Sequence, residues 1–150
     1  MRKTGFTLVE LIVVIVLVGI VALIAAPRFF SQPAFDAARF HDAAISAIRY
    51  GQKVAVAQRR DVFVVTSAST VALCYDAGCT TPSNRLKIPG SDDYFEVNIP
   101  SGIGITIASF NFNSLGQPIP NAETILNISG DVAARQIVVE RETGYVHKQP

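Results

Sequence analysis

The feature that most constrains this chain is an apolar run near its N-terminus. The run extends from residue 6 to residue 26 and contains one ionisable side chain, Glu10. As a helix it would be roughly 31 Å long, which matches the ~30 Å hydrocarbon core of a bilayer. Arg2 and Lys3 precede it, and positive charge on that side predicts a cytoplasmic N-terminus. The sequence therefore predicts one membrane-spanning helix followed by an extracytoplasmic domain.

Two simpler interpretations of the run are a cleaved secretory signal peptide and an inert membrane anchor. A signal peptide cut after residue 25 or 26 would have Leu23 or Ile24 three positions earlier, where such sites need a small residue. An inert anchor has no use for Glu10, because a carboxylate inside a bilayer costs about 2.5 kcal/mol or more. The carboxylate therefore indicates that the helix has a partner.

The start of the run, Gly5-Phe6-Thr7-Leu8-Val9-Glu10, resembles the cleavage signature of class III signal peptides, found in the type IV prepilin family. The resemblance implies that a prepilin peptidase cuts between Gly5 and Phe6, removes residues 1–5 as a leader and methylates the new amino group of Phe6. It also implies that subunits polymerise through the retained helix, residues 6–27. Because a buried carboxylate needs a cation, Glu10 is expected to dock on the Phe6 amine of a neighbouring subunit.

Gly19 and Pro27 are expected to weaken this helix. Pro27 lacks the amide hydrogen that would bond to the carbonyl of Leu23, and glycine is a poor helix former. In the prepilin family, glycine and proline at such places accompany local melting of the helix when subunits enter the fibre. The alternative is that Pro27 only kinks the helix at the membrane surface.

Residues 28–60 are predicted to form an amphipathic half of the helix, with Ser31 as its N-cap, Pro33 in its first turn and its end near Arg60. One side carries mostly small and apolar residues: Ala37, Phe40, Ala44, Ala47, Ile48, Gly51, Val54 and Ala55. The opposite side carries Asp42, Ser46, Arg49, Lys53 and Arg60. The small residues would let a β-sheet approach the first side closely.

Residues 61–150 are predicted to form a β-rich head of five or six strands. The segment VFVVTSASTVALC, from Val62 to Cys74, has the pattern of a hairpin. The other strand-like stretches are Tyr94–Ile99, Ile103–Phe112, Thr124–Ser129 and Gln136–Glu140, with a last short strand after the turn at Thr143-Gly144. Ile137-Val138-Val139 predicts a strand buried on both faces. The overall prediction is an α+β fold, the lollipop of type IV pilins, with a long N-terminal helix packed on an antiparallel sheet.

Cys74 and Cys79 are the only cysteines, and four residues separate them. In an oxidising compartment they are expected to form a disulfide. A loop this short contributes about 2 kcal/mol, so its effect would be local stiffening. A zinc site would need more ligands, and a redox site would need C-x-x-C spacing.

Motifs for catalysis or cofactor binding are missing from the sequence. His41 and His147 have no nucleophile motif nearby, and none of the common hydrolase, nucleotide-binding or metalloprotease signatures occurs. The sequence predicts no catalytic residues, no cofactor and no metal site. It therefore indicates a structural protein rather than an enzyme.

Basic residues cluster only at Arg49, Lys53, Arg59 and Arg60, which is typical of a solvated helix face. Some minor pilins bind DNA through basic residues near the C-terminus. Here the C-terminal region carries Arg141 and Lys148 against Glu140 and Glu142, which is too balanced to favour nucleic acid.

The head is the part that separates the kinds of pilin. Phe40–Arg60, followed directly by a hairpin, and the closing segment Gln136–Val146 resemble the minor pilins and the H-type pseudopilins of type II secretion. Ala26–Phe30 and Arg39–Asp42 are most similar to the MshC-type minor pilin of the mannose-sensitive haemagglutinin pilus.

This resemblance implies a precursor in the inner membrane with its head in the periplasm. After processing it would meet other pilin subunits and the inner-membrane assembly platform, then enter a pilus on the cell surface at a subtip or priming position. A type II secretion pseudopilin, and a tip subunit that binds a surface or DNA, remain alternatives.

Overall fold

A computed structural model describes residues 7–25, 32–130 and 134–149. The chain divides into two compact units, Met1–Gln32 and Pro33–Pro150. The first unit contains helix α1, Leu8–Ala25, which runs without interruption through Gly19. Pro27 and Ser31, predicted to end α1 and to cap the next helix, lie outside the described residues. Among the residues that the structure describes, no helix combines the length and the apolarity needed to cross a membrane.

The second unit is built on helix α2, Gln32–Gln58, and its buried face is the one that the sequence predicts. All eight predicted residues are buried, while Asp42, Ser46, Arg49 and Lys53 on the opposite side are exposed. Two residues extend the buried face beyond the prediction: Ile45 and His41 are 6% and 4% exposed. The Nε2 atom of His41 lies 3.2 Å from the carbonyl oxygen of Gln136, which gives this buried ring a polar partner.

The C-terminal end of α2 comes two residues before the predicted end at Arg60. Arg59 adopts a left-handed conformation with φ 51°, which cannot continue the helix. The amide of Arg60 then donates a hydrogen bond to the carbonyl of Ala55 at 3.2 Å, the closing bond of a Schellman-type helix end. Glycine normally occupies this position, so the sequence gives no signal for the stop.

The described part of the head contains nine strands rather than the predicted five or six. In chain order they are β1 Val62–Thr66, β2 Thr70–Cys74, β3 Glu96–Asn98, β4 Gly104–Ile105, β5 Ser109–Phe112, β6 Pro118–Ile119, β7 Thr124–Ser129, β8 Arg135–Val139 and β9 Val146–Gln149. A single turn of 3₁₀ helix, Pro82–Asn84, lies between β2 and β3.

These strands form two antiparallel sheets. The order in the first sheet is β3-β2-β1-β5-β6, and the order in the second is β4-β7-β8-β9. Apolar residues of both sheets and of α2 share one core, in which Ile48, Leu73, Phe112, Leu126 and Ile137 are among the fully buried side chains. The head is therefore held together by a helix that packs against both sheets.

Most strand predictions are confirmed, and one is wrong. The β1–β2 hairpin, β7 and the β8–β9 hairpin lie where the sequence predicts them, and Ile137, Val138 and Val139 are all buried. The stretch Ile103–Phe112, predicted as one strand, is two strands that belong to different sheets.

The crossing between the sheets depends on two threonines. The amide of Thr106 donates to the carbonyl of Asn127 in the second sheet at 3.0 Å. The amide of Ala108, two residues later, donates to the hydroxyl of Thr66 in the first sheet at 2.6 Å. Thr66 itself is only 2% exposed, and its hydroxyl supplies the hydrogen-bond partner of the Ala108 amide where the chain enters the first sheet.

Candidate assembly site

The first turn of α1 contains Glu10, the residue predicted to dock on a neighbouring subunit. The hydroxyl of Thr7 accepts a hydrogen bond from the amide of Glu10 at 3.3 Å, and the carbonyl of Thr7 accepts one from Leu11 at 3.2 Å. Thr7 is therefore the N-cap of α1. This role was not among the predictions made for Thr7, although Thr7-Leu8-Val9-Glu10 has the T-x-x-E spacing of a capping box. Gly5 and Phe6, the predicted cleavage and methylation site, lie outside the described residues.

A carboxylate at this position is well placed to receive a cation. Glu10 lies in the first helical turn, where the positive end of the helix dipole favours negative charge. Its described neighbours on α1 are apolar, so association through this helix would desolvate the carboxylate and leave it in need of a positive partner. The arrangement can bind an ammonium group, and it offers no chemistry for catalysis.

The rest of α1 is an exposed apolar surface. Every large apolar side chain from Leu8 to Val21 is 46% to 73% exposed. A soluble monomer rarely presents so much contiguous apolar surface, which marks the helix as an interaction element. Among the described residues, a Cβ placed on Gly19 would meet nothing within 4 Å, so packing within α1 does not require this glycine. The predicted melting near Gly19 and Pro27 stays a prediction.

The predicted disulfide between Cys74 and Cys79 is confirmed. It closes a loop beside β2 on the outer face of the first sheet, where both cysteines pack with Val65 and Ala72 in a small second core. Asp76 organises the loop, since its carboxylate accepts hydrogen bonds from the amide of Cys79 and from the side chain of Asn84. The role of this disulfide is structural.

The two histidines lie in different parts of the head and have different partners. His147 Nε2 lies 2.9 Å from Glu140 Oε1, and its Nδ1 lies 3.2 Å from the carbonyl of Lys148. Hydrogen bonding to Glu140, followed by that to Lys148, raises the pKa of His147 above its usual value. His41 lies on α2 beside the start of β8 and does not share a site with His147. Within the described residues, no group of three or more His, Cys, Asp or Glu side chains could hold a metal ion.

The basic residues at the end of α2 are engaged separately rather than as one patch. The guanidinium of Arg60 lies over the ring of Tyr75, 3.6 Å from its centre. Arg49 points instead toward β9, where its Nε donates to the carbonyl of Val146 at 2.8 Å. Lys53 is exposed on α2. This dispersal does not provide the continuous basic groove that a nucleic-acid backbone would require.

Known proteins share both the N-terminal motif and the head. Residues 1–26 match the family described as the prokaryotic N-terminal methylation motif. The type IV narrow pilus major component PilA5 of Thermus thermophilus is 39% identical over 62 residues, which are 41% of this chain and 53% of that protein. The match thus spans about half the length of this curated relative.

Two solved structures resemble the chain over most of their length. The type IV minor pilin FimU of Pseudomonas aeruginosa superposes with a TM-score of 0.60 at 13% identity, covering 81% of this chain and 92% of that one. The minor pseudopilin EpsH of the type 2 secretion system of Vibrio cholerae superposes with a TM-score of 0.56 at 11% identity, covering 76% and 96%. Identities this low speak for the fold alone.

The protein has the α+β type IV pilin fold, as the sequence predicts, with a helix packed on antiparallel sheets. The sequence adds two similarities, one to the prokaryotic N-terminal methylation motif over residues 1–26 and one to part of a type IV pilus component. These relatives are named as a pilus major component, a minor pilin and a minor pseudopilin.

Proposed function

We propose that this chain is the precursor of a minor type IV pilin or of a pseudopilin of the minor type, and that it acts as a fibre subunit. The observation that carries the proposal is the combination of an N-terminal methylation motif with a head of the minor-pilin fold. The motif supports processing and retention of the apolar helix, and the exposed surface of that helix supports assembly through it. The other partners would be the prepilin peptidase and an inner-membrane assembly platform.

Processing creates the chemical group that Glu10 needs. Cleavage after Gly5 leaves a free, methylated and cationic amine on Phe6. In a fibre the amine of one subunit would then neutralise the Glu10 carboxylate of another, because an unpaired carboxylate among apolar helices is strongly unfavourable. Residues 6–27 would hold the precursor in the inner membrane with its head in the periplasm until this pairing draws it into the fibre.

The fibre to which this subunit belongs could be a type IV pilus or the pseudopilus of type II secretion. FimU is a minor pilin and EpsH a minor pseudopilin, and the head resembles both, so the fold supports a minor subunit of either system. The curated relative PilA5 is a major component, but the match to it covers only part of each chain. The similarity of Ala26–Phe30 and Arg39–Asp42 to MshC favours a pilus of the mannose-sensitive haemagglutinin type. We therefore place this subunit in such a pilus, with type II secretion as the alternative.

Mass spectrometry of the N-terminus tests the proposal. The chain isolated from its native membrane should begin at Phe6 and carry one added methyl group. Gly5→Leu should block the cut and leave a chain that begins at or near Met1, since the glycine immediately before the bond would be gone. Substitution of Lys3, which lies in the leader away from the bond, should leave cleavage intact. A wild-type chain that retains residues 1–5 would contradict the proposal.

A further inference from the structure

A concave site lies where the exposed face of α2 meets β9, the edge strand of the second sheet. It has a volume of about 250 Å³ and is lined by Asp42, Ile45, Ser46, Arg49 and Lys148. We refer to these five residues as the α2–β9 cleft. Ile45 is only 6% exposed and forms an apolar floor, whereas the other four side chains are polar or charged and exposed.

Arg49 is held in place by one end of its guanidinium. Its Nε donates to the carbonyl of Val146 at 2.8 Å, and its central carbon lies 5.9 Å from the centre of the Tyr145 ring. The two terminal nitrogens have no hydrogen-bond partner among the described residues. A fixed guanidinium with free donors is prepared to bind a carboxylate in two-point geometry, because little side-chain entropy remains to be lost.

The positive charge of the cleft is not neutralised within the described part of the chain. Lys148 lines the cleft from the β9 side. No carboxylate of the described residues forms an ion pair with its ammonium group. Asp42 lines the same cleft, but its carboxylate lies 3.5 Å from Nδ1 of His41 and forms no ion pair with Arg49 or Lys148 among the described contacts. Two cationic side chains therefore face one acidic side chain that pairs with neither.

We propose that the α2–β9 cleft binds one Asp or Glu side chain presented by the head of a neighbouring fibre subunit. The carboxylate would contact the terminal nitrogens of Arg49 and the ammonium of Lys148, and its methylene groups would lie on Ile45. The volume equals that of about eight waters, enough for one side chain. The proposal rests on the proposed function, because only an assembling chain would have such a neighbour.

The same charges argue against a long polyanion such as DNA. Asp42 lines the cleft itself, Glu140 precedes the turn that leads into β9, and Glu142 lies in that turn. An extended phosphate backbone would have to pass these carboxylates, whereas a single side chain avoids them. Charge complementarity thus favours an acidic protein surface.

A small probe tests the cleft without knowledge of the partner. The full-length chain in detergent micelles would be titrated with butyrate, which has a carboxylate and an apolar tail, while the Arg49 Nε–H resonance is followed by NMR. We expect a saturable shift with butyrate and none with the neutral butyramide. Lys148→Gln, whose side chain has no described partner to lose, should weaken binding about tenfold, as expected for one charge-assisted hydrogen bond.

Lys53→Gln is the matched control, because it also removes one positive charge but at a position on α2 outside the cleft. It should leave the affinity for butyrate unchanged. The absence of a saturable shift would overturn the proposal. So would a short DNA duplex or inorganic phosphate that binds the same residues more tightly than butyrate does.

Cross-linking in assembled fibres tests the partner. A photoreactive amino acid in place of Ser46 should form adducts with an acidic segment of another subunit's head. Lys148→Glu should abolish these adducts and Lys53→Glu should preserve them; adducts with nucleic acid or lipid would contradict the proposal. If the wild-type chain were missing from fibres, the proposed function would fail, and the butyrate titration would still decide whether the cleft binds a carboxylate.

Discussion

Gly144 shows how a single residue joins the two sheets of the head. It lies in the turn between β8 and β9 with φ 63°, and a Cβ there would lie 2.1 Å from the carbonyl oxygen of Gly116 in the turn between β5 and β6. Gln52 on α2 is hydrogen-bonded to both turns: its Nε2 donates to the carbonyl of Gly116 at 2.9 Å and to the carbonyl of Thr143 at 2.8 Å. The two sheets and the helix therefore meet at a point where no side chain fits.

Gly144→Ala should consequently destabilise the head by about 2–3 kcal/mol or more, from left-handed strain together with a backbone collision. Gly90 is the matched control: it has φ 82°, and a Cβ added there would meet nothing within 4 Å, so Gly90→Ala should cost only about 1 kcal/mol. Thermal unfolding of the full chain in detergent, followed by circular dichroism, measures both. Equal losses would mean that strain alone, and not the contact with Gly116, determines the cost.

At the scale of elements, the sequence predicts α2 better than the strands. The 3.6-residue period identifies the buried face of α2 because that face is continuous and small residues mark it. The two-residue strands β4 and β6 are too short to give a period. The split of Ile103–Phe112 depends on Thr66, a residue about 40 positions earlier, so local sequence contains no sign of it.

The candidate sites likewise differ in how well the local sequence predicts them. Gly5, Phe6 and Glu10 can be proposed from the sequence alone, because the N-terminal methylation motif has particular residues at fixed spacing. The α2–β9 cleft is not recognisable, because it unites α2 with the last strand of the chain. In the sequence Arg49 belongs to a basic cluster with Lys53 and Arg60, whereas in the fold each of the three has different surroundings.

The β8–β9 hairpin contains a pair, His147 and Glu140, whose titration should affect stability. Both ring nitrogens of His147 face acceptors, Glu140 and the carbonyl of Lys148, which favours the doubly protonated ring and raises its pKa. A raised pKa in the folded state means that the stabilisation is complete below the ordinary value near 6.5 and is lost as the pH rises through the folded value. The effect should be small, because both side chains are partly exposed.

Glu140→Gln should therefore lower the melting temperature at pH 5.5 more than at pH 8.5. Thermal unfolding of the full chain at the two pH values checks this, with Glu142→Gln as the control, since Glu142 pairs with Arg141 rather than with His147. A loss of stability for Glu140→Gln that is the same at both pH values would show that the pair contributes nothing through protonation.

At the scale of the whole molecule, the two units have different expected roles. Among the described residues, the core of the head lies within Pro33–Pro150, so we expect the head to fold without α1. The described side chains of α1 are exposed, as the proposed assembly through this helix requires. Substitutions in the first unit should therefore change assembly and leave the stability of the head unchanged, and Glu10 is the sharpest case.

If the chain primes a pilus, deleting it should reduce the number of fibres per cell without changing the shaft, because priming determines how often a fibre starts. Electron microscopy and counting of fibres measure this. The wild-type chain should restore the number, whereas Glu10→Ala should not, since a subunit without the carboxylate cannot neutralise the amine of its neighbour. Glu10→Ala should also keep the wild-type melting temperature, which separates failed docking from failed folding. Normal fibre numbers after deletion would contradict priming, and loss of protein secretion with fibres intact would instead favour the type II secretion alternative.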